Sequence, residues 1–72
     1  MLKNKIIFFC PVVDCTQSDF LFKTEEAALK EAKKMFNKKE FRYLKSLDDC
    51  KSFESAVRSR IIYLDTYTLK EF

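Results

Sequence analysis

The stretch Thr24-Glu25-Glu26-Ala27-Ala28-Leu29-Lys30-Glu31-Ala32-Lys33-Lys34-Met35-Phe36-Asn37-Lys38-Lys39 decides how the rest of the chain is read. Thr24 is an N-cap residue, whose hydroxyl accepts an orphan N–H of the first turn. Glu25 and Glu26 follow where the positive end of the helix dipole favours acid, and Lys38 and Lys39 lie where its negative end favours base. Ala28, Leu29, Ala32, Met35 and Phe36 recur at i, i+1, i+4, i+7 and i+8, which makes one apolar stripe. The pattern predicts a helix ending near Asn37. Asn37 or its neighbour is expected to take the left-handed exit conformation that glycine usually supplies.

Upstream of this helix the composition turns to strand. Residues 3–10 contain Ile6-Ile7-Phe8-Phe9, apolar on both faces, as in a central strand covered on both sides. Pro11 is expected to end or bend that strand, because proline donates nothing to a ladder. Asp14 to Asp19 is polar and turn-like. Phe20-Leu21-Phe22 then reads as a second strand, in a hairpin with the first.

Downstream, Phe41-Arg42-Tyr43-Leu44 reads as a third strand. Ser46 with Asp49 has capping-box spacing, Asp standing in place of Glu. Leu47, Cys50, Phe53 or Glu54, and Val57 recur at helical intervals and predict a second helix over about 47–59. Residues 60–69 are rich in Ile, Tyr and Thr and read as a fourth strand. The expected fold is therefore one small α+β domain over residues 1–72. It has the order β-β-α-β-α-β and a single, mostly antiparallel sheet with two helices packed on it.

Composition excludes much chemistry. Glycine and histidine are both absent. Without glycine, phosphate loops of the Walker or Rossmann type cannot form, and turns must use Asn, Asp, Ser or Pro. Without histidine, Ser-His-Asp and Cys-His catalytic sets and two-histidine zinc sites cannot be built. Cys10, Cys15 and Cys50 have no C-x-x-C spacing, and their odd number fits a reduced, cytoplasmic setting better than a secreted disulfide scaffold. The carboxylates show no spacing suited to a glycosidase or a two-metal site. The expectation is a protein that is not an enzyme and needs neither cofactor nor metal. The apolar run from Ile6 to Val13 is too short to span a membrane, so no membrane partner is expected.

Three surfaces remain as candidates for binding. Lys30, Lys34 and Lys38, with Lys33 beside them, form a basic ridge opposite the apolar stripe. Such a ridge either meets phosphates or an acidic protein face, or is a solvated helix face relieved by Glu26–Lys30 and Glu31–Lys34 pairs. Arg58 and Arg60 bracket the end of the second helix, where they serve either bidentate recognition or the helix dipole. Tyr63 and Tyr67 fall on one face of the last strand with Asp65 between them, either as interface anchors or as core with hydroxyls at the rim. If that strand lies at a sheet edge, it can add to a partner's sheet.

Aromatic and basic residues also interleave at Phe41-Arg42-Tyr43-Leu44-Lys45, a pattern suited to stacking on bases. RRM and KH signatures need glycines that this chain lacks.

With 72 residues, a net charge of +3 and eight Phe, the chain reads as a small binding module whose partner is a larger protein or complex. The Lys-rich, Phe-rich composition suggests an accessory protein of a phage or mobile element that inhibits a host defence complex, of the anti-CRISPR or anti-restriction type. It would then act in the host cytoplasm. The alternatives are a nucleic-acid-binding regulator using the lysine ridge, and an antitoxin or homo-oligomeric structural protein. A chain this short buries only about 60% of its unfolded surface. Homodimer formation would add stability by mass action.

Overall fold

Asp14 and Cys15 reverse the chain with φ of 46° and 67°, the positive pair that a two-residue type I′ hairpin turn requires. The right-handed twist of the flanking strands suits this turn, so β1 (Lys5–Val13) folds back into β2 (Thr16–Gln17). The computed structural model describes residues 5–70, so the first two residues of the strand expected over 3–10 lie outside it. β1 is central in an antiparallel sheet of order β2-β1-β3, where β3 is Ile62–Lys70. β1 and β3 pair over nine residues without a bulge, from Lys5↔Lys70 to Val13↔Ile62.

Pro11 does not end β1, contrary to expectation, and the hydrogen-bond parity gives the reason. The N–H and C=O of Phe9 both point to the β2 side, where they bond Phe22. Pro11 has the same parity, and its carbonyl accepts from the Ser18 N–H on that side. Its missing N–H therefore faces β2 and costs the β1–β3 ladder nothing. The cost falls on β2. Ser18 finds no amide donor at Pro11, and its carbonyl instead lies 3.7 Å from the Cys10 thiol. The chain leaves the sheet over residues 19–21 and rejoins it in a single bridge at Phe9↔Phe22. The strand expected at Phe20–Phe22 is thus reduced to that bridge, and Phe20 and Leu21 are 62% and 51% exposed.

The helix predicted from Thr24 is present as α1 (Glu25–Phe36), with the Thr24 hydroxyl accepting from the Ala27 N–H. Asn37 ends it at φ −89°, in the right-handed half of the map, so the expected left-handed exit is not made there. Residues 41–44 are not a third strand. They lie in a 3₁₀ helix, Lys39–Ser46, followed by a second short one, Asp48–Cys50. Phe41 and Leu44 are buried while Arg42, Tyr43 and Lys45 are exposed. That spacing of three matches the 3₁₀ repeat, whose side chains eclipse at i and i+3. A strand would have buried alternate residues instead.

The second helix is shorter than expected. Its regular part is α2 (Phe53–Arg58), capped by Ser52 rather than Ser46, with the Ser52 hydroxyl accepting from the Ser55 N–H. The left-handed residue that ends a helix is found here, at Arg60, with φ 64°. The Ile61 N–H reaches the Ala56 carbonyl and the Arg60 N–H reaches Val57. This is the Schellman pair of bonds, made without glycine.

Cross-strand partners share a face, so Val13, Ile62, Pro11, Leu64, Phe9 and Thr66 lie on one side of the sheet and Val12, Tyr63, Cys10, Asp65, Phe8 and Tyr67 on the other. The core joins Val13 and Ile62 of the first face to Ala32, Met35, Phe36, Phe41, Leu44, Cys50 and Ala56. The architecture is a small α+β fold with two helices on a three-stranded antiparallel sheet. β1 is central in the ladder but not covered along its length. Ile7 is 46% exposed on the helix-side face, and Thr66 and Thr68 opposite are exposed as well. The β1–β3 ribbon therefore projects past the helical layer at that end.

Candidate interaction surfaces

α1 turns Ala28, Ala32, Met35 and Phe36 inward, which leaves Lys30, Lys33 and Lys34 exposed, with Lys38 exposed just beyond its end. Among the described residues the only ion pair is Lys51–Asp48, at 3.6 Å on an exposed turn. The Glu26–Lys30 and Glu31–Lys34 pairs expected from spacing are not made, so the ridge keeps its charge unpaired. Leu29, expected in the core stripe, is 37% exposed. It lines an open cleft of about 580 Å³ with Ala27 and Phe53, rimmed by Lys30 and Lys33 and by a single acid, Glu26. Phe53 is held there by its edge-on contact with Phe36, at 6.2 Å between ring centres, and by the Ser52 cap one residue before it. The cleft is thus an apolar floor under a mostly basic rim.

The second surface lies across the sheet from α1. Tyr63 and Tyr67 stand on the face away from the helices, 40% and 42% exposed. The Gln17 side-chain amide donates to the Tyr67 hydroxyl at 2.8 Å and to the Asp65 carboxylate at 3.4 Å. Gln17 belongs to β2 and its partners to β3, so this bridge crosses the central strand. Cys10 and Val12 lie on that strand between them and are only 3% and 1% exposed. Asp65 is thereby tied to its own sheet, and Tyr67 is held at its hydroxyl end.

Arg58, the last residue of α2, and Arg60, in the turn that leads into β3, are both exposed. Arg58 lies 3.4 Å from the Ser55 hydroxyl, and neither arginine reaches the lysine ridge or the tyrosines through a hydrogen bond or ion pair. The sequence-predicted residues thus fall into separate groups, with lysines and tyrosines on opposite sides of the sheet.

Sequence reading missed the Gln17 bridge, because nothing local marks a glutamine two strands from its partners. It also missed Asp14–Tyr43. The Tyr43 hydroxyl donates to the Asp14 carboxylate, which docks the long 3₁₀ helix on the β1–β2 turn. This bond holds the Tyr43 phenol above its ordinary pKa. The aromatic-basic run at 41–45 is consequently spoken for. Phe41 is buried, the Tyr43 hydroxyl is taken by Asp14, and the Lys45 ammonium sits 4.9 Å above the Phe36 ring. The three thiols are free, with Cys10 and Cys50 buried and Cys15 exposed, and burial pushes the Cys50 thiol up. Among the described residues no group of three His, Cys, Asp or Glu is placed to hold a metal, and no helix is long and apolar enough to cross a membrane.

Neither a family model, nor a curated protein, nor a solved structure matches the chain. The functional reading therefore rests on these surfaces alone.

Proposed function

We propose that the protein is a non-enzymatic binding module whose α1–α2 cleft takes an acidic segment of a larger protein, one apolar side chain entering between Leu29 and Phe53. The observation that carries this reading is the pairing of an apolar floor with unpaired lysines at its rim. Interfaces concentrate their energy in an apolar anchor in a pocket and draw specificity from the polar rim. Lys30 and Lys33 would meet carboxylates on the partner, and Lys34 and Lys38 would extend the field along the helix and raise the encounter rate. Inhibition of a host defence complex is the specific form of this reading that the composition suggests.

Charge reversal and apolar loss test the two halves separately. A Lys30→Glu/Lys33→Glu variant and a Leu29→Asp variant should each lose a protein captured from cell lysate by the parent chain, with folding unchanged by circular dichroism. Retention of that protein by both variants would exclude the cleft. The nucleic-acid alternative uses the same lysines but not the apolar floor. It predicts a steep loss of affinity for DNA or RNA with salt. Lys30→Glu/Lys34→Glu would then abolish binding and Leu29→Asp would spare it.

A further inference from the structure

β3 is an edge strand, and its free side can be read residue by residue. Asp14 donates to Ile61 on the β3 side of β1, so the even-numbered residues of β1 bond β3 and the odd-numbered ones bond β2. Their partners on β3 are the odd-numbered residues 63, 65, 67 and 69. The N–H and C=O groups of Leu64, Thr66 and Thr68 therefore point away from the sheet, and among the described residues no backbone bond is made to them.

Native sheets guard such an edge with proline, bulges, short length or inward-pointing lysine. Between Ile62 and Leu69 β3 has no proline, bulge or lysine. It is nine residues long and regular. Its one charge between Ile62 and Leu69 is Asp65, and Gln17 holds that carboxylate over the strand's own sheet. An unguarded edge of this length fits a strand that is covered in the working molecule. We infer that it is covered by the same strand of a second copy, paired antiparallel about a two-fold axis at Thr66, which joins the two sheets into one of six strands.

The register follows from the strand itself. Outward-pointing residues must face outward-pointing residues, so the axis passes through an even position as a hydrogen-bonded pair or an odd position as a non-bonded one. An axis at Asp65 sets two carboxylates directly opposite, which is unfavourable. Thr66 is the midpoint of Ile62–Lys70, so an axis there overlaps the whole strand. It pairs Leu64 with Thr68 of the second copy, Thr66 with Thr66 and Thr68 with Leu64. It also sets Asp65 opposite Tyr67 of the second copy instead of another acid. On the face away from the helices, each Tyr67 gains Tyr63 and Tyr67 of the second copy as diagonal neighbours, within reach of aromatic side chains. Two exposed tyrosines per copy thus merge into one strip.

The ribbon end that projects past the helices in one copy lies beside the helical body of the other, which sets the two bodies at opposite ends of the joined sheet. The axis is perpendicular to the sheet, so both α1 ridges lie on the same side. This inference is independent of the cleft reading, because it uses the free edge of β3 and none of the residues that line the cleft.

The test is the mass of the full chain by sedimentation over a wide concentration range, with Thr66→Pro as the probe. The Thr66 N–H points outward, so proline removes no β1–β3 bond but blocks the partner strand. Dimer in the parent chain and half that mass in Thr66→Pro, with an unchanged circular dichroism spectrum, is the expected result. Cysteine cross-linking in a Cys15→Ser background does not depend on how the proline variant folds. Paired residues at the axis have Cα atoms about 5.5 Å apart, within disulfide range. Leu64 lies four residues from its own symmetry mate, about 14 Å along the strand. Thr66→Cys should therefore cross-link on oxidation and Leu64→Cys should not. A monomer at every concentration, a Thr66→Pro dimer, or cross-linking through Leu64→Cys in place of Thr66→Cys would each overturn the inference.

Discussion

Arg60 occupies the left-handed position that ends α2, with a side chain that pays for it. A non-glycine residue there costs about 1–2 kcal/mol. Glycine would remove that cost but lose about 0.4–1 kcal/mol through its freer unfolded chain. The first term is larger, so Arg60→Gly should stabilise the protein by about 0.5–1 kcal/mol, read from the urea midpoint. Destabilisation would show that the guanidinium makes contacts that outweigh the backbone strain. Tyr43 gives a second residue-level expectation. Its pKa is raised in the fold, mainly by donation to Asp14. The folded state therefore holds the phenol proton more tightly than the unfolded chain, whose tyrosine titrates near about 10. That contribution is present below the unfolded value and is lost as pH rises through the folded one. Urea melts on the alkaline side should show a steeper fall in stability than those of Tyr43→Phe.

At the scale of elements, the two α-helices depend differently on their caps. α1 has twelve residues and a broad buried face, whereas α2 has six and buries chiefly Ala56. Loss of a Thr or Ser cap costs about 1 kcal/mol in either. In α2 that cost falls on little more than one turn. Ser52→Ala should therefore unfold α2 locally and raise amide exchange over residues 53–58, while Thr24→Ala should lower global stability with α1 intact. Uniform exchange across the chain in Ser52→Ala would show instead that α2 and the sheet open as one unit. α1 was legible because cap, charge and periodicity agree. The strand expected at 41–44 failed because Phe41 and Leu44 at i, i+3 suit a 3₁₀ turn, and a short run with two aromatic residues also looks like a strand. Pro11 misled because its effect depends on which side of the strand its missing N–H faces, and only the paired sheet defines that side.

For the molecule as a whole, the margin is small. A chain of this length carries roughly 4–11 kcal/mol of stability. Leu44 is 1% exposed, at the meeting of the long 3₁₀ helix with the core. Leu44→Ala should cost about 2–5 kcal/mol, a large share of that margin, and lower the melting temperature measured by calorimetry. A loss under 1 kcal/mol would mean that the surrounding core closes over the gap, as some sites can. The lysine ridge and the alternation of Tyr63 and Tyr67 could be read from the chain, because both follow from the period of a single element. The Leu29–Phe53 cleft, the Gln17 bridge and the outward backbone of Thr66 could not, since each joins or orients residues from separate elements. By itself the sequence determined the α+β class, the first helix, the last strand and the lack of imidazole and glycine chemistry, for these depend on local period and residue type. Only the tertiary structure decided how many strands there are, which one is the edge and which lysines stay unpaired, because long-range pairing assigns those and no local pattern encodes it.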